Sequence, residues 1–201
     1  MLIVLRRLSL LLVWLSVFAC GPGAGEEVEI ISKITEGGDT TSRTTSLKYL
    51  DTDLPERYYL VFRQELSMLD VNGFIGMESD ILRKKVSEAG ITPTGPWAVL
   101  TYEWDTERSW ADVAVAIPVE KGTELAPYVT ITLPATKAAG LLLKGSYDGL
   151  SAYHLALDQE LKRLNLAPLY PSIEEYITGP SETKNEEEFQ TLVLYPYKNA
   201  Q

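Results

Sequence analysis

The side chains in this sequence that could do chemistry are few, and the most suggestive of them sit together in Pro171-Ser172-Ile173-Glu174-Glu175-Tyr176-Ile177-Thr178. On a strand, residues two apart share a face, so Glu174 and Tyr176 point together while Glu175 points the other way. A carboxylate held among apolar and aromatic groups costs desolvation free energy unless a cation or hydrogen-bond donors compensate it, and that makes it a seat for a cation. The one histidine, His154, falls among Leu155, Leu157 and Leu161 in a predicted helix and is expected to be a surface or half-buried helical residue. With one His and one Cys, a zinc site of nitrogen and sulfur ligands cannot be assembled, so no metal is expected. Glu186-Glu187-Glu188 lacks the Asp-x-Asp-x-Asp-Gly spacing of a calcium loop and is expected to be a solvated loop. No glycine-rich phosphate cradle is present, and no cofactor is expected.

The elements that position these residues come from internal repetition. Residues 89–96, Ala-Gly-Ile-Thr-Pro-Thr-Gly-Pro, lie on residues 164–171, Leu-Asn-Leu-Ala-Pro-Leu-Tyr-Pro, with a constant shift of 75. Residues 113–119 lie on 191–197 with a shift of 78, so the second copy carries a three-residue insertion. Pro93 and Pro168 match, as do Pro118 and Pro196. Each copy is expected to be a strand, a helix and two further strands. In the first copy, Tyr58–Leu66 is aromatic and β-branched and suits a strand. Ser79 is expected to cap a helix over Asp80–Ala89 that Gly90 ends, with Ile81, Leu82, Val86 and Ala89 inward. In the second copy, Lys137–Lys144 is the strand and Leu150–Leu164 the helix, with Leu150, Tyr153, Leu157, Leu161 and Leu164 inward and Asn165 in the place of Gly90. The predicted fold class is α+β: tandem β-α-β-β repeats over about 58–119 and 137–198, antiparallel sheets, helices on one side and a cleft between the copies.

Lys144-Gly145-Ser146-Tyr147-Asp148, residues 171–180 and Leu194-Tyr195-Pro196-Tyr197 resemble the GyrI-like effector-binding superfamily, whose domains also serve as ligand sensors of AraC-type and MerR-type regulators. The resemblance runs from about Tyr58 to Lys198. It implies two β-α-β-β units related by a pseudo-twofold axis and a central cleft for small, often aromatic and cationic molecules. It also assigns the ligand-contacting carboxylate to Glu174, two residues before Tyr176, and leaves Glu175 for solvent. Under the shift of 75 the mates of Glu174 and Tyr176 are Val99 and Thr101, so the cleft is expected to hold one carboxylate. Trp97 shares their parity and should face the same cleft, where an indole face attracts cations. Tyr147, at the turn into the second helix, would close its floor. Three functions follow as expectations: a small-molecule binder with Glu174, Tyr176, Tyr147 and Trp97 as its site; a hydrolase in which Glu174 acts as general base and Tyr176 or Tyr147 polarises the substrate; or an adaptor that binds a protein partner.

The formal charge is −10, and loss of Arg6 and Arg7 with a signal would leave −12, so nucleic acid is not an expected partner. No segment suits a helix-turn-helix. Residues 1–19 combine Arg6-Arg7, an apolar run from Leu8 to Phe18 and Ala19, the layout of a secretory signal too short to span a bilayer as a helix. Val17-Phe18-Ala19-Cys20-Gly21 resembles a bacterial lipobox. The expected organisation is a signal over 1–19, a lipidated Cys20 with a polar tether over 20–57 in which Val28, Ile30, Ile31 and Ile34 can form one short strand or helix, and the domain over 58–198, anchored by lipid to the cell or outer membrane outside the cytoplasm. Labelled fatty acid should enter the wild-type protein and fail to enter the Cys20→Ser variant; equal labelling of the two would overturn the anchor.

Overall fold

The chain was described from a computed structural model, which places residues 27–36 and 39–200; the signal segment and Cys20 lie outside the described residues. Strands β1 (Glu27–Glu36) and β2 (Asp39–Lys48) pair antiparallel, with Glu27 opposite Lys48, as a unit of their own. The stretch expected to be a tether therefore contains strands. Its threonines and isoleucines suit extended backbone even though large apolar side chains are scarce. A third strand from the same stretch, β3 (Leu50–Leu54), belongs to the main domain, where it pairs with β8 (Thr136–Lys144).

The first repeat consists of β4 (Arg57–Ser67), α1 (Val71–Glu88), β5 (Ala98–Asp105) and β6 (Trp110–Val119). After β7 (Val129–Leu133), the second consists of β8, α2 (Leu150–Arg163), β10 (Ser172–Thr178) and β11 (Gln190–Asn199), with the short β9 (Leu166–Pro168) between α2 and β10. The sheet runs β3-β8-β11-β10-β5-β6-β4-β7, with β9 on the end of β11, so its order is the same read from either edge once the repeats are exchanged. The register repeats as well. Ala98 opposite Ala116 in β5 and β6 becomes Ile173 opposite Leu194 in β10 and β11. The Thr94 N–H donates to the Pro118 carbonyl at 2.9 Å, and its counterpart, the Leu169 N–H, donates to Pro196 at 2.7 Å. Gly90 and Asn165 both take positive φ, +68° and +54°, where the helices end.

Two short connections dictate the curvature of this sheet. β3 passes to β4 through Pro55 and Glu56, although the two strands lie six places apart. Three residue steps reach about 11 Å, whereas six flat strand spacings would need about 29 Å. β7 reaches β8 through Pro134 and Ala135 under the same restriction. The sheet must therefore curl until its edges approach. Its concave face is filled by Tyr59, Val61, Ala98, Leu100, Ala114, Ala116, Ala138, Ile173 and Leu194, drawn from both repeats. Alanines at four of these positions permit the tight curl, and Gly140 opposite Leu194 does the same, since a Cβ there would lie 2.9 Å from a Leu194 methyl.

The helices cover the convex face. Val71, Phe74, Leu82 and Val86 of α1 pack on Leu60, Val113, Val115 and Ile117. This burial starts α1 at Val71, nine residues before the expected Asp80, because packing outweighs the poor helix propensity of Gly73 and Gly76. Ser79 is consequently not a cap. It is buried in mid-helix, and its hydroxyl donates to the Gly76 carbonyl at 3.1 Å. Ile81, Ala89 and Leu164, expected inward, are exposed, Ile81 beside the buried stripe of α1 and the other two at the C-caps, where the helices have ended.

Glu175 also differs from expectation. It points into the concave face, not to solvent, and accepts a hydrogen bond from Arg57 across strands three places apart, an ion pair only 20% and 14% exposed. Tyr59 lies beside it, with its hydroxyl pushed up to about 12 by burial, against the lowering influence of Arg57. Glu175→Gln should therefore destabilise the fold by about 1–3 kcal/mol in urea denaturation, because it leaves the Arg57 guanidinium without its counter-charge. An unchanged midpoint would show the pair to be dispensable.

Candidate functional site

The parity that sends Glu175 inward puts Ser172, Glu174 and Tyr176 on the convex face, under the helices. Strands β5 and β10 join the two repeats at the middle of the sheet, with Leu100 opposite Ile173, Val99 opposite Glu174 and Ala98 opposite Glu175. Exchange of partners under the shift of 75 maps this ladder onto itself. The local twofold axis therefore passes through the pair Val99 and Glu174, and one side of it carries a carboxylate where the other carries an isopropyl group.

The four expected site residues are brought together here. The Tyr176 hydroxyl donates to Glu174 Oε2 at 2.7 Å, and the Tyr176 backbone N–H donates to the Trp97 carbonyl at 3.0 Å. The Trp97 and Tyr176 rings stack, with centroids 4.1 Å apart and planes 6° from parallel. Tyr147 meets Tyr176 edge-on at 5.3 Å and lies on Phe189 at 5.2 Å. Burial raises the Tyr147 phenol. Its hydroxyl is buried with no hydrogen-bond partner among the described residues, directly beneath Gly179, where an added Cβ would sit 2.6 Å from that oxygen. Glycine at 179 is what leaves room for the ring. Trp104, outside this group, is 52% exposed at the end of β5.

His154 was set aside on sequence grounds, yet it completes the site. Its Nε2 lies 2.9 Å from Glu174 Oε1, and its Nδ1 lies 3.0 Å from the Tyr195 hydroxyl. A carboxylate can only accept, so Nε2 carries the proton, and in the neutral ring Nδ1 accepts from Tyr195. The Tyr195 hydroxyl is pushed up to about 12, chiefly by burial, and burial together with the neighbouring Glu174 raises Tyr176 well above its ordinary value. Both phenols thus remain donors throughout the physiological range. Each oxygen of Glu174 is held by a donor, and the carboxylate is fixed in place. A sequence signal for His154 did exist: one and four residues before it lie Tyr153, which is inward, and Leu150, so His154 falls at the edge of the buried stripe and faces the junction between repeats.

Arg83 was also missed. Its guanidinium lies over the Trp97 ring, 5.7 Å from the centroid. The same group donates to Ser181 Oγ at 2.6 Å and pairs with Asp80 at 2.5 Å. Ser181 belongs to the β10–β11 loop, which carries the three-residue insertion. Among the described residues, no group of three or more His, Cys, Asp or Glu side chains converges to hold a metal ion. The arrangement supplies one fixed anionic carboxylate, two phenol donors, an imidazole and a stacked aromatic wall.

Solved structures share this fold. The C-terminal domain of EcmrR superposes with a TM-score of 0.67 at 21% identity, covering 77% of this chain and 99% of that one. SAV2435 bound to tetraphenylphosphonium superposes at 0.56 and 14% identity, covering 75% and 94%. A hydrolase from Listeria innocua superposes at 0.50 and 11% identity, covering 75% and 92%. At these identities the likeness is one of fold. No curated protein sequence matches the chain. The family model for the GyrI-like small molecule binding domain matches residues 52–198, from within β3 to the end of the second repeat, and the chain belongs to that family.

Proposed function

We propose that this chain binds small aromatic or cationic molecules at the convex-face cleft between α1 and α2, acting outside the cytoplasm from a lipid anchor on Cys20. The observation that carries the binding reading is Glu174. It is a carboxylate on the local twofold axis, fixed by Tyr176 and His154 and flanked by the aromatic wall of Trp97, Tyr176 and Tyr147. A fixed anion beside aromatic faces attracts a lipophilic cation both by its charge and through the rings. The likeness in fold to a protein bound to tetraphenylphosphonium supports the choice of that cation as a probe. The anchor rests on the sequence around Cys20 and on no feature of the described residues.

A second reading, hydrolysis of a reactive small molecule, is favoured by the His154–Glu174 pair. Its hydrogen bond holds the carboxylate in one orientation, as a general base toward water requires. The two readings separate on one variant. Glu174→Gln keeps the shape and removes the charge, so tetraphenylphosphonium binding measured by calorimetry should weaken by about 1.5–3 kcal/mol. Under the hydrolase reading, the same variant should lose turnover while still binding an uncharged substrate. Unchanged affinity in Glu174→Gln, with wild-type urea stability, would sink the assignment of the cleft.

A further inference from the structure

We infer that Arg83 is a resident cation that occupies the seat on Trp97 and competes with any cationic ligand for it, which makes Arg83 a specificity-determining residue of the cleft. The inference rests on the proposed binding reading and adds to it what an incoming cation must displace.

The geometry carries the argument. Arg83 Cζ lies 5.7 Å from the Trp97 centroid, inside the roughly 6 Å range over which a guanidinium is attracted by an indole face. Three anchors hold it there. Its Nη2 pairs with Asp80 on the same helix at 2.5 Å, its Nε donates to the Ser79 carbonyl at 3.4 Å, and its Nη1 donates to Ser181 Oγ at 2.6 Å. An exposed ion pair one helical turn apart would by itself do little to fix a long side chain. The Ser181 bond is different in kind, because it joins α1 of the first repeat to the β10–β11 loop of the second. Arg83 therefore bridges the two repeats beside the ring on which Tyr176 stacks.

The device is one-sided. Under the shift of 75, the helix position of Arg83 is taken in the second repeat by Asp158, which pairs with Lys162 at 2.6 Å. No symmetry of the fold demands a cation at 83. The Arg83 side chain keeps a third of its surface exposed beside the Trp97 ring, so the guanidinium can leave the indole without unpacking α1. A ligand cation approaching Trp97 meets a like charge already installed, and it gains the indole face only as Arg83 gives it up. An uncharged aromatic ligand does not face that repulsion.

The experiment is calorimetric titration of the full chain, as wild type, Arg83→Gln and Ser181→Ala, with tetraphenylphosphonium and with uncharged triphenylphosphine oxide. Arg83→Gln should bind the phosphonium about tenfold more tightly than wild type, the scale of one cation seat. Ser181→Ala leaves α1 untouched and frees only one anchor, so its gain should be smaller and in the same direction. Affinity for the phosphine oxide should change by less than about twofold. Phosphonium binding that is unchanged or weaker in both variants overturns the inference and leaves the cleft reading standing. An equal gain for the uncharged compound makes Arg83 a steric cap and also overturns it. Absence of phosphonium binding in all three folded proteins overturns the cleft reading, and the inference with it.

Discussion

The rest of the structure depends on the two short connections at Pro55-Glu56 and Pro134-Ala135. Each joins strands that the sheet order places six positions apart, so the sheet has to curl until its edges approach. Once it curls, each strand has an interior face and an outer face, which the helices cover over β4, β6, β8 and β11, and alternation along the strand decides which residue does what. On β10 this sorts two adjacent glutamates into separate roles. Glu175 bridges the interior to Arg57, and Glu174 emerges beneath α2. The small residues Ala98, Ala114, Ala116, Ala138 and Gly140 follow from the same constraint, since a curled interior has little volume to fill.

The register of β5 against β10 then places the local axis at Val99 and Glu174, and departures from symmetry around that axis make the site. Val99 faces Glu174, Thr101 is the mate of Tyr176, Ser79 is the mate of His154, and Trp97 is the mate of Ser172. In each pair the two copies share a backbone position but differ in chemistry. One half supplies the acid and its donors, and the other supplies apolar surface and an indole. The two halves of the convex face at the axis are therefore chemically unlike although their backbones match.

Much of this was legible in the sequence because backbone constraints leave marks at fixed spacing. The matched Pro118 and Pro196 proved to be paired carbonyl acceptors, Gly90 and Asn165 proved to be helix ends in the same left-handed conformation, and strand parity placed Trp97, Glu174 and Tyr176 on one face. What escaped was decided by contacts between elements. His154 and Arg83 look like ordinary helical polar residues until their helices are laid on the sheet. The start of α1 was hidden because Val71 and Phe74 are held by packing on β6, against the pull of two glycines. Glu175 seemed destined for solvent because alternation reveals an opposite face but not that the sheet has closed around it. Val28, Ile30, Ile31 and Ile34 left room for one short element where β1 lies, but β2 and β3 escaped because polar, threonine-rich composition suggests a linker whether or not a pairing partner is present.

We place the ligand site on the convex face at the local axis, with Glu174 as its anion. The most direct measurement is the position of tetraphenylphosphonium bound to the full chain, determined by crystallography or by intermolecular nuclear Overhauser effects. Phenyl groups are expected against Trp97 and Tyr176, with the charged centre turned toward Glu174. A cation lodged instead on the concave face beside Arg57 and Glu175, or away from both repeats, would contradict this placement.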